Sequence, residues 1–253
     1  MKNSIKKCAI MQPSFFPWMG DFYMMDIVDK YVFLDDVKLS LSDWDVRNRI
    51  KGSNGEIMLT VPVKKSLSRT SLLIKDVFIN NYERVRKKHL TAIQQSYSKS
   101  KYYDEIMPVI NDIYNNKVER LNDFTQSAIK ILSIKMGIDV DFIQSSKIKG
   151  VKSVSDKRLI SICNILECNM YISPTGSAKY INKNNIGGAF NNSEVDLFYR
   201  YYQTKEYPQL YGDFINNLSI LDLLFNVGFS DAINVIRNAD IKLLTPIESV
   251  SLL

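Results

Sequence analysis

Short apolar runs alternate along this chain with longer stretches of helical periodicity. The runs with the length and apolar density of buried strands are KKCAIM, KYVFLDDV, VDFIQSSK, MYISP and VDLFYRYY. Apolar positions at helical spacing fill residues 82–137, and helices are also predicted for SVSDKRLISICNILECN, LSILDLLFNVG and SDAINVIRN. This alternation predicts an α/β fold with a Rossmann-like three-layer sheet, together with a helical insertion or a second helical subdomain.

The same pattern predicts one domain over residues 1–253 with three consecutive parts. Residues 1–81 combine strands, a proline-rich loop that leads into a helix, and the hairpin RNRIKGSNGEIMLTVPV with its Ser-Asn-Gly turn. Residues 82–137 are the helical part, and residues 138–253 return to α/β alternation. Gly228 is expected to end the helix LSILDLLFNVG, and SDAINVIRN is expected to be the final helix.

Positive charge is concentrated in the first part of the chain. The net charge is +6; residues 1–100 carry 17 Lys and Arg against 10 Asp and Glu, and the remainder carries 16 against 17. The densest segment is RVRKKH, at Arg84–His89. It is either a solvated helix face or the source of a field that attracts a polyanion such as a nucleotide, a nucleotide sugar, a lipid diphosphate or an RNA. No sequence signature of a nucleic-acid-binding module is present, and no binding to DNA is predicted.

The cysteine and histidine content argues against a disulfide framework or a zinc site. There are three cysteines without a CxxC pair and a single histidine, so no metal site is predicted and a reducing cytoplasm is expected. No apolar run approaches the roughly 18 residues of a membrane helix. Gln12 and Pro13 interrupt the first apolar run after the basic start, so neither a signal peptide nor an integral membrane segment is expected.

Three side chains are candidates for acid–base chemistry. Asp35 and Asp36 follow the second strand, and open α/β sheets bind ligands at the carboxyl ends of their strands. Adjacent strand residues point to opposite faces, so only one carboxylate is expected to face a site, and both could equally be solvated at a strand end. His89 is the one side chain that ordinarily titrates near neutrality, although a single helical histidine is more often structural.

The segment WDVRNRIK places a stripe of cations beside an aromatic residue. In extended geometry Arg47, Arg49 and Lys51 share one face, and Asn48 takes the other. Guanidinium groups suit phosphate or carboxylate, while charges of this kind also protect exposed edge strands. Trp44 and Asn48 are unusual choices for edge protection alone, which favours a binding role.

Two loops after predicted strands complete the candidate site. The loop AIMQPSFFPWMG is expected to form the wall of a ligand crevice, with Gln12 as its polar group beside Pro13 and with Trp18 in position to stack. The turn SPTGSAKY could hold an anion through backbone N–H groups, but it lacks the P-loop spacing and is otherwise a simple turn into a helix. Its candidate binding residues are Ser173, Ser177, Lys179 and Tyr180.

With these motifs in hand, the chain resembles the WbqC-like family of bacterial polysaccharide gene clusters. The similar segments are MQPSFFPWMGDF, VFLDDVKLSLSDWDVRNRIK, MLTVPV, KHLTAIQQSYSKSKYYDEI, MYISPTGSAKYI and NNLSILDLLFNVG, which follow the family's order over nearly the whole chain. The chain departs from the family pattern at Met11, where the family usually has histidine, and at Lys38, Pro174 and Ser177.

The resemblance implies an aminoacyl transferase, proposed for the family as a glycine transferase. It would acylate the amine of a nucleotide-linked or lipid-linked amino sugar in O-antigen or surface-glycan biosynthesis. The donor could be a free amino acid activated by ATP with Mg, or an aminoacyl-tRNA. In this hypothesis His89 is the base, Asp35 or Asp36 orients the amine, Arg47, Arg49, Lys51 and Lys179 hold phosphates, Trp18 or Trp44 stacks, and Gln12 and Asn48 bind hydroxyl or amide groups. A non-catalytic scaffold of the pathway and an RNA-binding protein are the two alternatives.

Overall fold

A six-stranded mixed sheet forms the centre of the protein. The computed structural model describes residues 4–40, 44–64, 72–151 and 153–251. In the order β5-β2-β1-β6-β7-β8, the first five strands are parallel and β8 is antiparallel. The strands are β1 (Lys7–Met11), β2 (Lys30–Phe33), β3 (Arg47–Gly52), β4 (Gly55–Thr60), β5 (Asp141–Gln144), β6 (Met170–Pro174), β7 (Asp196–Gln203) and β8 (Asp240–Leu244), of which β3 and β4 form a separate hairpin.

Helices cover both faces of the sheet. The described residues form α1 (Met19–Asp26), α2 (Tyr82–Tyr97), α3 (Tyr103–Asn115), α4 (Leu121–Lys135), α5 (Ser155–Ile165), α6 (Ala178–Ile181), α7 (Ile220–Arg237) and α8 (Pro246–Val250). One hydrophobic core joins α1–α4 and α7 to the sheet, and a second joins α5 and α6 to its other face. Alternate strand residues supply the two cores: Ala9 enters the first, while Cys8 and Ile10 enter the second. The three-layer Rossmann-like prediction is therefore confirmed.

The predicted helical insertion consists of α2, α3 and α4. These helices connect the hairpin side of the chain to β5 and pack on the same face as α1 and α7. Their buried side chains, including Ile93, Ile110 and Leu132, belong to the larger of the two cores. No helix within the described ranges combines the length and apolarity needed to cross a bilayer.

The C-terminal region differs from the sequence-based expectation. SDAINVIRN is not the final element, because β8 and α8 follow it. β8 pairs antiparallel with β7, a long-range interaction that its partly polar sequence DIKLL does not reveal. Gly228 breaks the helical geometry with φ 79°, as expected of a stop, but the helical turns resume at once and α7 continues as a kinked helix. The carboxylate of Glu105 accepts a hydrogen bond from the N–H of Phe229, which caps the resumed half.

The aromatic loop after β1 is held by hydrogen bonds to its backbone carbonyl groups. Asn48 Nδ2 donates to the carbonyl oxygens of Phe15 and Phe16, at 3.3 and 2.8 Å. Ser219 Oγ donates to Phe16 O at 2.9 Å, and the N–H of Ile220 donates to Pro17 O at 2.9 Å. Phe16 has φ 40°, a left-handed conformation that costs a non-glycine residue about 1 kcal/mol or more. The strand β3 and the start of α7 together fix this loop against the sheet.

Replacing Asn48 with alanine is expected to destabilise the fold. The change removes the donor of the buried Phe15 carbonyl, one of the two donors of the Phe16 carbonyl and the acceptor of the Arg49 N–H, so we expect a loss of about 2 to 3 kcal/mol in the free energy of unfolding. Urea denaturation followed by circular dichroism measures it. Asn184 is exposed, and its replacement by alanine should change the same quantity by less than about 0.5 kcal/mol. Equal effects of the two substitutions would contradict the conclusion that the Asn48 side chain holds the aromatic loop.

Candidate functional site

A cavity of about 390 Å³ opens at the carboxyl ends of β1, β6 and β7. The chain places β2 and β5 on one side of β1 and places β6 and β7 on the other, so β1 and β6 flank the point where the strand order reverses. Open α/β sheets bind ligands in the crevice at this point. The cavity is lined by Met11, Ser14, Pro17, Trp18, Asp21, Trp44, Asn48, Arg49, Pro174, Arg200 and Asn217.

A buried ion pair lies in the inner part of this cavity. Arg200 of β7 and Asp21 of α1 are 5% and 6% exposed, and Arg200 Nη1 lies 3.8 Å from Asp21 Oδ1. Arg200 Nη1 also donates to the carbonyl oxygen of Gly20. Within the described residues, Arg200 Nε has no hydrogen-bond partner, and Asp21 Oδ2 accepts no hydrogen bond. Both charged groups therefore keep bonding capacity that the protein itself does not use.

Burial perturbs both members of the pair. It raises the pKa of the Asp21 carboxyl above its usual 3.8, against the opposing effects of Arg200 and of the Trp18 N–H. It lowers the pKa of the Arg200 guanidinium, against the opposing effect of Asp21. Arginine side chains stay protonated in proteins, so the guanidinium carries its positive charge. The cavity thus contains a fixed cation beside a carboxylate that accepts a proton more readily than an exposed aspartate.

Trp18 forms a wall of the cavity and is positioned by this pair. Its Nε1–H donates to Asp21 Oδ1 at 3.1 Å, and the Arg200 guanidinium lies over its ring at 5.3 Å from the centroid. Tyr202 packs edge-on against the same ring. Gly20 is required next to it, because a Cβ at that position would overlap the Trp18 indole. The indole is therefore held on three sides.

The rim of the cavity is more exposed and carries a second aromatic–cation pair. Trp44 is 48% exposed, and the Arg49 guanidinium lies over its ring at 5.5 Å from the centroid. Arg49 also forms an ion pair with Glu56 at 2.8 Å and donates to Asn217 O at 3.2 Å. Two indoles, two guanidiniums and one carboxylate thus face the same cavity.

The structure brings several sequence-predicted residues to this cavity. Trp18, Trp44, Asn48 and Arg49 line it, although the Asn48 amide is already bonded to the aromatic loop. Gln12 and Pro13 continue directly from β1 into the loop, half-buried and buried respectively, without lining the cavity.

The turn after β6 reaches the cavity through Pro174. Ser177 Oγ donates to Pro174 O at 2.7 Å, and its oxygen in turn lies within hydrogen-bond distance of Ser173 Oγ. These serines shape the turn and do not line the cavity. Lys179 and Tyr180 are exposed and lie outside it.

The other two cations of β3 lie outside the cavity as well. Arg47 is half-buried opposite Thr60. Lys51 is 3% exposed, and its Nζ donates to Gln209 Oε1 and to the carbonyl oxygen of Asp213. Lys51 therefore fixes the segment that leads to Asn217, which lines the cavity.

Asp35 and Asp36 make hydrogen bonds that join β2 to its neighbours. The Asp35 carboxylate accepts from Ser145 Oγ, from the N–H and Oγ of Ser146, and from Asn122 Nδ2, at 2.9 to 3.3 Å. Asp36 forms an ion pair with Arg158 at 2.6 Å. Neither side chain lines the cavity. These contacts give both carboxylates a clear structural use, and their predicted role in orienting an amine stays a prediction.

His89 lies in a different part of the molecule, between α2 and β4. It is 4% exposed; Nε2 lies 3.0 Å from Thr60 O and Nδ1 lies 2.9 Å from the Tyr114 hydroxyl. A carbonyl oxygen only accepts, so Nε2 carries the proton in the neutral ring and Nδ1 accepts from Tyr114. Burial lowers the pKa of His89 to about 4. The neutral ring has no nitrogen left for a substrate in this arrangement, and its role as a base stays a prediction.

Asp21 and Arg200 are not among the site residues predicted from the sequence. The available signal for Arg200 is its position as the single cation within the predicted strand VDLFYRYY, where a buried cation requires a partner. Asp21 lies in the segment MQPSFFPWMGDF. Its carboxylate becomes part of a buried ion pair in the cavity only because β7 lies beside α1. In the described part of the chain, no group of three or more His, Cys, Asp or Glu side chains is arranged to hold a metal ion.

Comparisons with known proteins agree with the motif order. The model of the WbqC-like protein family matches residues 12–234. The uncharacterized protein Rv1507c of Mycobacterium tuberculosis is 29% identical over 226 residues, which cover 88% of this chain and 95% of that protein. No solved structure is significantly similar to the chain.

The imidazole of His89 should titrate far below the usual range. Since it is the single histidine of the chain, its NMR signal is unambiguous, and we expect a midpoint of about 4 in place of 6.5. The unfolded chain takes up this proton first, so the histidine contributes stability above pH 6.5 that is lost as the pH falls towards 4. A His89→Gln variant should lack this part of the pH dependence in urea denaturation. A midpoint near 6.5 would contradict the buried, neutral assignment.

Proposed function

The chain belongs to the WbqC-like protein family, and on that premise we propose that it transfers an aminoacyl group, such as glycyl, to the amine of an amino sugar. The acceptor is a nucleotide-linked or lipid-linked precursor of O-antigen or a related surface glycan. One observation carries the proposal: the strand-end cavity combines the Asp21 carboxylate with the indoles of Trp18 and Trp44 and the guanidiniums of Arg49 and Arg200.

Each part of such an acceptor has a matching group in the cavity. A carboxylate with an unused oxygen suits the amine, and the indole faces suit the apolar face of a sugar or a base. Arg49, on the half-exposed rim, is placed to bind the phosphates outside the cavity. Arg200, next to Asp21, is placed to stabilise the negative charge that develops on the acyl oxygen.

The proposed reaction is an acyl substitution. The amine nitrogen attacks the acyl carbon of an activated amino acid, a C–N bond forms, and the C–O bond to the leaving group breaks. The proton released by the amine passes to Asp21, whose raised pKa suits a proton acceptor, and then to the leaving group or to water. The geometry favours Asp21 for this step over His89, because both ring nitrogens of His89 already have partners.

The amino acid can be activated by two routes. In one, the carboxylate of the amino acid attacks the α-phosphate of ATP and releases pyrophosphate, and AMP is then the leaving group when the amine attacks the acyl-adenylate; Mg²⁺ would accompany the phosphates of the nucleotide. In the other, the aminoacyl ester of a tRNA supplies the group and the leaving group is the ribose hydroxyl. A single assay distinguishes the routes, because only the first requires ATP and releases AMP.

Substitution of Asp21 tests the chemistry. Purified protein, glycine, ATP or glycyl-tRNA, and a nucleotide-linked amino sugar should give an acylated sugar that mass spectrometry detects. Asp21→Asn should lower kcat at least about 100-fold through loss of the proton acceptor. Asp139 is an exposed carboxylate before β5, and Asp139→Asn is the matched control that should stay within about twofold of the unmodified chain.

Three results would contradict this assignment. Full activity of Asp21→Asn together with loss of activity in His89→Gln would return the base to His89. Absence of product with every donor, with no binding of the amino sugar, would favour the scaffold role; salt-sensitive RNA binding without any sugar preference would favour the RNA-binding role.

Trp44 allows a separate test of acceptor binding. Trp44→Ala removes a stacking surface and should weaken binding of the nucleotide sugar about tenfold in isothermal titration calorimetry. The thermal midpoint of unfolding should change little, because Trp44 is half-exposed and contributes little to the core. Tyr180 is also 48% exposed but lies outside the cavity, so Tyr180→Ala is the matched control. Weaker binding in Tyr180→Ala alone would place the acceptor at the turn after β6 instead.

A further inference from the structure

A second cavity lies between β4 and α2 and shares no lining residue with the strand-end cavity. Its volume is about 680 Å³, and it follows the outer edge of the hairpin. One wall is formed by residues 57–60 and Pro62, and the other by residues of α2 and the two residues before it. The position is an exposed strand edge that faces a basic helix.

The hydrogen-bond pattern of the hairpin shows which backbone groups face this groove. The carbonyl of Arg49 in β3 points away from β4, because it accepts from the N–H of Ser219. Met58 lies opposite Arg49. In an antiparallel pair, two opposite residues either both direct their N–H and C=O groups at each other or both direct them away from the partner strand. The N–H and C=O of Met58 therefore point out of the hairpin, and within the described residues neither has a backbone partner.

The part of the β4 edge without hydrogen-bond partners is short, and it ends at Thr60. The next outward carbonyl, that of Thr60, accepts from His89 Nε2. Beyond it, the N–H of Asn80 donates to Pro62 O and the N–H of Lys64 donates to Phe78 O, so other parts of the chain cover the edge from there on. An incoming strand could therefore pair with the edge from Met58 towards the turn of the hairpin, and not beyond Thr60.

The side chains of the groove combine apolar and basic character. Met58 is 45% exposed, and Val85 and Ala92 line the α2 wall. Arg84 and Lys88 are exposed on α2, and neither forms an ion pair within the described residues. Such a surface suits a ligand that is both apolar and negatively charged.

We propose that this groove binds an extended acidic peptide segment of a partner protein, which adds to β4 as a third strand. A peptide can donate to Met58 O and accept from Met58 N–H, whereas a phosphate backbone only accepts and would leave the carbonyl unpaired. Alternating side chains would place apolar groups against Met58 and carboxylates against Arg84 and Lys88. Pairing of two copies of this chain through β4 would bring two basic α2 helices together, so charge disfavours self-association.

Fluorescence anisotropy with labelled heptapeptides tests the proposal. A capped peptide of alternating glutamate and valine should bind at least about tenfold more tightly than its lysine–valine counterpart, and binding should weaken with salt. The double variant Arg84→Glu/Lys88→Glu should reverse this preference. Lys87→Glu/Lys99→Glu changes the net charge equally at exposed positions outside the groove and should leave the preference intact.

A second variant tests the strand pairing itself. Met58→Pro removes an N–H that does not bond to β3, so the hairpin keeps its ladder while the peptide loses a hydrogen bond and should bind about tenfold less tightly. If that variant does not fold, N-methylation of the peptide removes the pairing from the other side. Equal binding of both peptides, or no effect of either change, would overturn the proposal. Tighter binding of single-stranded RNA that is insensitive to Met58→Pro, or a concentration-dependent dimer in sedimentation, would also overturn it.

Discussion

The need to satisfy the backbone of a buried aromatic loop organises this protein. Proline and aromatic side chains drive the loop after β1 into the core, and buried carbonyl groups without donors cost about 1 to 3 kcal/mol each. The Asn48 side chain, the Ser219 side chain and the N–H of Ile220 supply those donors. Two segments that are distant in sequence, β3 and the start of α7, therefore meet at this loop, and the strand-end cavity lies beside it.

The same loop determines the electrostatics of the cavity. It leads into α1 through Trp18, which places Asp21 beside Arg200 of β7 at a point where both are buried. In a low-dielectric environment each charge is stabilised chiefly by the other and by a few hydrogen bonds. A ligand that brings both an amine and an anionic group can therefore exchange these contacts for its own, which is the physical basis for proposing an amino-sugar phosphate as the acceptor.

Several conspicuous polar residues of the sequence serve the architecture instead. Asp35 joins β2 to the segment after β5, and Lys51 holds the segment that leads to Asn217. His89 joins α2 to β4 and α3 through Thr60 and Tyr114. Each of these side chains is buried, and a buried polar group needs partners whether or not it takes part in catalysis. Residue type and strand-end position alone do not distinguish the two uses.

The sequence by itself determined the α/β class, the order of most elements and the family, because hydrophobic periodicity and long local motifs are properties of the chain. It also predicted Trp18, Trp44 and Arg49 as binding residues, since they lie in those motifs, and all three line the strand-end cavity. Only the tertiary structure decided that Asp21 and Arg200 meet, that His89 lies elsewhere, and that DIKLL is a strand. These depend on which strands become neighbours in the sheet, and parallel pairing joins residues whose separation along the chain leaves no local signal.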